Sequence, residues 1–209
     1  MMSETGSVKF TCEHSAVKIA PFAGFAELNA YRTRLRRLGW IGVDSNGIGF
    51  GNLSVREGET NSFYITGSGT GGMEELKLED CAKVTAFDFG RNWLRCEGST
   101  IASSESLTHA AVYESDPNAA AAIHGHDLEL WAALLDQVPT TGREVEYGTP
   151  AMAGEVRRLF KMTDVKSRKI FVMAGHEGGV VAFGKDLADA FGVATDWKIG
   201  GRLGSSVKS

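Results

Sequence analysis

At 209 residues with 43% hydrophobic content, the chain is long enough to bury one sizeable core without disulfide staples. Its formal charge of −4 comes from interspersed acids and bases, and the one basic group, Arg32, Arg34, Arg36 and Arg37, is too small to indicate a nucleic-acid partner. The first residues, Met1 to Gly6, lack a basic and apolar leader, and no run reaches membrane-span length, so a cytoplasmic protein with no membrane partner is expected.

Residues 1–20 are polar and mixed; a short strand is expected at Val8 to Thr11, with only partial order around it. Cys12, Cys81 and Cys96 are odd in number and contain no C-x-x-C, which argues against a disulfide framework or a cysteine zinc site and fits a reducing compartment. Cys12-Glu13-His14 has no partner at ligand spacing and reads as surface or packing. Phe25, Leu28, Tyr31, Leu35 and Leu38 recur every three or four residues, predicting a helix that lies on a sheet and stops at Gly39. The arginines on that helix read as a solvated face.

Short strands follow at Phe50 to Arg56, Phe63 to Thr66, Lys83 to Asp88 and Trp93 to Cys96, the last two joined by a turn at Phe89 to Asn92. So tight a succession requires antiparallel pairing. Ser103 or Ser104 is expected to cap a helix running to Ser115, with Pro117 beyond its end. Ala119 to Ile123 reads as a strand ending in His124-Gly125-His126, and Asp127 opens a helix to about Leu135. A helix over Ala151 to Phe160, strands at Ile170 to Ala174 and Val180 to Phe183, and a last helix from Asp186 to Ile199 complete the pattern. No repeat or linker divides the chain. One α/β domain over residues 21–200 is expected, a three-layer α/β/α sandwich around a mixed, largely antiparallel sheet, followed by a flexible tail at 201–209.

The chemistry gathers at Ser103-Ser104-Glu105 and His124-Gly125-His126. In an extended chain, residues two apart project to the same face, so His124 and His126 can bind one ion. A third imidazole, His176, follows an apolar strand and precedes glycines; three histidines with an open position describe a catalytic zinc site, and imidazoles also suit manganese, cobalt or nickel. His109 stands four residues after Glu105 on the same helix face. It is either a partner of the carboxylate or of a ligand histidine, or a packed histidine satisfied elsewhere.

The order GNLSVR (Gly51 to Arg56), ITGSG (Ile65 to Gly69), SSE (Ser103 to Glu105), HGH and GHEGG (Gly175 to Gly179) resembles the class II aldolase/adducin family from about Gly39 to about Ile199. The resemblance implies the same sandwich fold, a divalent metal, most simply Zn2+, on His124, His126 and His176, and Glu105 as acid/base. It implies phosphate or substrate binding by Gly51, Asn52, Ser68, Gly69, Ser103 and Ser104. It further implies a homotetramer with pockets near subunit boundaries, so that a neighbour can supply an acid this chain lacks. The sequence departs from the family where Gly67 replaces a proline and where the segment between His126 and Gly148 is short, with Tyr147 the nearest phenol. The implied activity is a metal-dependent aldolase-type lyase cleaving or forming a C–C bond in a small hydroxycarbonyl compound, a sugar phosphate. A sugar-phosphate epimerase or dehydratase, or a non-catalytic adducin-like assembly protein, are the alternatives. Ribulose-phosphate-type epimerases carry aspartate at the position of Glu105, and non-catalytic members tend to lose the histidines; both observations favour the lyase.

Overall fold

Glycine-marked turns divide residues 8–205, the range described by this computed structural model, into short strands and six helices. The amino-terminal half contains β1 (Thr11–Ser15), α1 (Phe25–Arg37), β2 (Gly42–Val43), β3 (Gly49–Phe50), β4 (Asn52–Arg56) and β5 (Phe63–Thr66). Single 3-10 turns at Thr70–Gly72 and Leu78–Asp80 lead to β6 (Cys81–Asp88), β7 (Trp93–Glu97) and α2 (Ser106–Ser115). The rest comprises β8 (Ala121–His126), α3 (Leu128–Leu134), α4 (Pro150–Met162), α5 (Val165–Arg168), β9 (Ile170–Val172), β10 (Gly179–Gly184) and α6 (Leu187–Ser205).

Eight strands form one sheet in the order β1-β7-β6-β5-β4-β8-β10-β9, parallel only where β1 meets β7. β2 and β3 pair separately. The sheet is thus mixed and largely antiparallel, as the strand spacing requires. Both faces are covered because the strands alternate. In β10, Val181 and Phe183 join the cluster beneath α2, α4 and α5, with Leu107, Ala111, Val156 and Phe160. Val180 and Ala182 join the opposite cluster beneath α1, α3 and α6, with Leu28, Leu130 and Ala190. The three layers follow directly from this two-residue period.

Local chemistry fixes the starts of α3 and α4. Asp127 caps α3 by accepting the Leu130 N–H at 2.9 Å. Thr149 Oγ1 accepts from Met152 N at 3.3 Å ahead of Pro150, which fills the first position of α4 where no donor is required. No helix among the described residues is long and apolar enough to cross a membrane.

Several boundaries differ from the sequence expectation. The first strand is Thr11–Ser15 rather than Val8 to Thr11, because it pairs in parallel with Trp93 to Glu97. That pairing brings Cys12 and Cys96 to an Sγ–Sγ distance of 3.3 Å although both are free thiols. Neither Ser103 nor Ser104 is the cap of α2: the helix begins at Ser106, and Glu105 occupies the cap position without a side-chain cap bond. The Ser103 carbonyl instead accepts both the N–H and the hydroxyl of Ser106, at 3.0 and 2.6 Å. The last helix continues past Ile199 to Ser205. Of the segments expected to be loosely ordered, residues 1–7 and 206–209 lie outside the described range.

The solvated arginine face holds for Arg34 and Arg37, which are exposed, and is corrected at Arg32. Arg32 is 1% exposed, on the buried side of α1 between Leu28 and Leu35, while Leu38 is exposed.

Candidate active site

The two-residue period of β8 places His124 and His126 on the same face as Ala122, the face covered by α2. His124 stands opposite Asn52 of β4 on one side and Val181 of β10 on the other, and is 1% exposed. His176 arrives from the turn between β9 and β10, closed by hydrogen bonds from His176 N to Met173 O (3.1 Å) and from Gly179 N to His176 O (2.8 Å). Gly179 must be glycine there: a Cβ would lie 2.8 Å from His176 Cδ2 and 3.3 Å from His124 Cε1.

The three imidazoles converge through the same atom. His126 Nε2 lies 3.2 Å from His124 Nε2 and 2.9 Å from His176 Nε2. Nitrogens sharing an ion at tetrahedral angles would be about 3.3 Å apart, so the donor set fits a metal of zinc's bond length. Among the described residues this is the one cluster of three histidine, cysteine or acidic side chains whose ligand atoms all lie within 4.8 Å of one another. Burial lowers the pKa of His126 to about 4 and of His176 to about 3; His124 is held well below the ordinary histidine range by burial and then by its neighbouring imidazoles. All three are therefore neutral at pH 7, the form in which imidazole binds a metal.

Glu105 enters the site from the start of α2. It is 2% exposed; its Oε2 accepts the Thr108 hydroxyl at 2.7 Å, while its Oε1 is buried with no protein partner. Burial raises the carboxyl to about 7, opposed by the Thr108 bond and the charge of Lys9. A group so placed can hold or release a proton near neutrality. His109, one turn further on, reaches neither the carboxylate nor a ligand histidine. Its Nδ1 lies 2.6 Å from Ser54 Oγ, which also contacts the Tyr113 hydroxyl at 2.6 Å, tying α2 to β4. It is a packed group of the support, with its ring neutral through burial.

A cleft of about 240 Å³ has all ten residues singled out from the sequence on its walls: Gly51, Asn52, Ser68, Gly69, Ser103, Ser104, Glu105, His124, His126 and His176. Asn52 Oδ1 is a second buried acceptor with no partner. Ser68 gives its N–H to Ile101 O at 2.9 Å, so its hydroxyl, rather than its backbone, is what remains for a ligand. Sequence reasoning missed Thr108, the carboxylate's partner, although its place three residues after Glu105 on a helix put it within reach. Tyr147 lines the cleft with its ring 4.3 Å from that of His176, and Lys9 Nζ lies 4.0 Å from the centre of the same tyrosine ring. Lys9 carried no signal, since nothing in the sequence connects it with residues so far away.

A two-faced α/β sheet with three convergent imidazoles and a buried carboxylate whose one oxygen has no partner, in one cleft, defines a candidate metalloenzyme centre. The chain belongs to the class II aldolase and adducin N-terminal domain family, whose model matches residues 34–197. No curated protein matches the sequence. Among solved structures, the chain is similar to an L-fuculose 1-phosphate aldolase at 21% identity, over 91% of this chain and 88% of that one, with a TM-score of 0.70. It is also similar to the L-fuculose-1-phosphate aldolase of Thermus thermophilus (22% identity, 88% and 97% covered, TM-score 0.61). A sugar-phosphate aldolase from Thermotoga maritima gives 17% identity, 88% and 96% coverage and a TM-score of 0.65. These likenesses establish the shared fold.

Proposed function

We propose that this protein is a divalent-metal-dependent aldolase-type lyase that makes or breaks a C–C bond in a small phosphorylated hydroxycarbonyl compound. The observation that carries this reading is the meeting, in one cleft, of three imidazole Nε2 atoms with a buried carboxylate oxygen that has no partner. His124, His126 and His176 would hold the ion, with zinc the simplest fit to three neutral imidazoles and an open position. When bound, it supplies a Lewis acid for the negative charge that develops on the substrate as the C–C bond breaks. Glu105 carries the proton at Oε1, while Thr108 fixes the other oxygen and so the rotamer. Gly51, Asn52, Ser68, Gly69, Ser103 and Ser104 form the phosphate cradle, from hydroxyls, an amide and glycine backbone that a ligand can approach closely.

The test is a panel of phosphorylated ketoses, including L-fuculose 1-phosphate, incubated with the metal-loaded full chain while aldehyde release is followed. Release is expected to stop on chelation and return with added metal. Epimerised substrate without aldehyde would replace the lyase with an epimerase, and no turnover of any member would leave a binding protein.

The same reading makes the protein a homotetramer, in which a neighbouring chain supplies the acid that this cleft lacks. Closed cyclic symmetry would complete every site identically with one repeated contact. Light scattering is expected to give four times the chain mass; a fully active monomer at micromolar concentration would overturn the shared site.

A further inference from the structure

Arg32 heads the largest fully buried side chains of the protein, yet no carboxylate lies within 4 Å of its guanidinium among the described residues. Its donors go entirely to backbone carbonyls of one segment. Nη2 donates to Thr70 O at 2.6 Å, Met73 O at 2.7 Å and Gly71 O at 3.4 Å, and Nη1 to Glu74 O at 3.4 Å. That segment continues the Gly67 to Gly71 wall of the cleft.

The segment reads Gly67-Ser68-Gly69-Thr70-Gly71-Gly72, four glycines in six residues, where an unaided backbone would sample many conformations. Side chains cannot replace Gly67 or Gly71 to stiffen it. A Cβ on Gly71 would lie 2.2 Å from Gly42 O, and one on Gly67 would lie 2.5 Å from Thr100 Cγ2. The start of the loop is held by Gly67 N–H to Asp80 O (2.8 Å) and Ser68 N–H to Ile101 O (2.9 Å), and α1 holds the other end: the planar guanidinium fork gathers four carbonyls between Thr70 and Glu74 into one arrangement. In a trans peptide the C=O and N–H point in opposite directions, so carbonyls drawn toward α1 turn amide hydrogens to the other side of the loop. Burial lowers the arginine only to about 10, so the charge persists at neutral pH.

We propose that Arg32 is the positioning residue of the anion cradle: it grips the carbonyls of Thr70, Gly71, Met73 and Glu74 where the Gly67–Gly71 wall leaves the cleft, and sets a positive charge without an ion-pair partner among the described residues behind that wall, selecting a phosphorylated substrate. The inference rests on the phosphate-binding reading given above. Arg36, one turn on from Arg32, makes a single contact, 3.3 Å to Gly72 O, too long to order the loop by itself, and serves as the control.

The experiment is a calorimetric titration of the metal-loaded full chain with inorganic phosphate, for wild type, Arg32→Met, Arg32→Lys, Arg36→Ala and Ser68→Ala, with metal content and circular dichroism measured on each. Arg32→Met is expected to weaken phosphate by about tenfold or more, the scale of one charge-assisted contact, with metal content unchanged. Arg32→Lys, which keeps the charge but loses the fork, should fall between, and Arg36→Ala should stay within about twofold of wild type. If Arg32→Met does not fold, Arg32→Lys decides by the same measure. Wild-type binding that the folded Arg32 variants match within about twofold, while Ser68→Ala loses it, would overturn the role of Arg32 and keep the cradle. A wild type that ignores phosphate would overturn both.

Discussion

Glu105→Gln is expected to lower turnover by about 100-fold or more while making the metal-free fold more stable at alkaline pH. The two effects share one cause. The carboxyl is moved from its ordinary 4.5 to about 7 by burial, so the folded state binds its proton more tightly than the unfolded chain does. Stability therefore falls as pH rises from about 4.5 to about 7, and above that the full penalty is present, about 3 kcal/mol for an ionised group in this environment. Glutamine keeps the acceptor for Thr108 and cannot ionise. Urea denaturation of metal-free protein at pH 8 is expected to favour the variant by up to about 3 kcal/mol, with the difference shrinking toward zero near pH 4.5. The histidines titrate equally in both proteins and cancel. A variant less stable than wild type at pH 8 would mean that Glu105 contributes ion pairing rather than strain; wild-type turnover would remove it from the chemistry.

The legible parts of this molecule are those governed by short-range periodicity. Alternation placed His124 and His126 on one face of a strand without any knowledge of the sheet. It also gave the antiparallel succession from Phe50 to Cys96, because each strand pairs with the next. His176 stood out only as an imidazole between an apolar strand and glycines: it joins its partners by closure of a turn 50 residues away from His126, which no local pattern encodes. The helix start at Ser106 eluded prediction because the two adjacent serines are good caps by residue type, whereas Glu105, the residue at the cap position, makes no side-chain cap bond. Arg32 is the instructive miss. Its charge suggested a solvated face, whereas its position, four residues after Leu28 and three before Leu35, put it on the apolar stripe. Spacing outranked residue type there, since a guanidinium can be buried when carbonyls satisfy it.

Replacing both His124 and His126 by alanine is expected to abolish metal retention and, with it, activity. Losing only a ligand's supporting hydrogen bond already costs metal sites about 10–100-fold in affinity, so removing two of three ligands should exceed the upper end of that range. One imidazole, His176, would remain, and a single neutral nitrogen cannot hold a divalent ion against dialysis. His14 gives the matched control: its Nε2 lies 2.8 Å from Gly98 O in the β1–β7 part of the sheet and it belongs to no ligand cluster among the described residues, so His14→Ala should retain the full metal content. A second readout avoids relying on bound metal after purification. An ion that binds only the native state stabilises it by about 4 kcal/mol at a thousandfold excess over its Kd, so added zinc should raise the melting temperature of wild type and of His14→Ala and leave the double variant unmoved. Equal metal content and equal thermal shifts in all three proteins would show that the three convergent nitrogens are a packed histidine cluster and that any bound ion sits elsewhere.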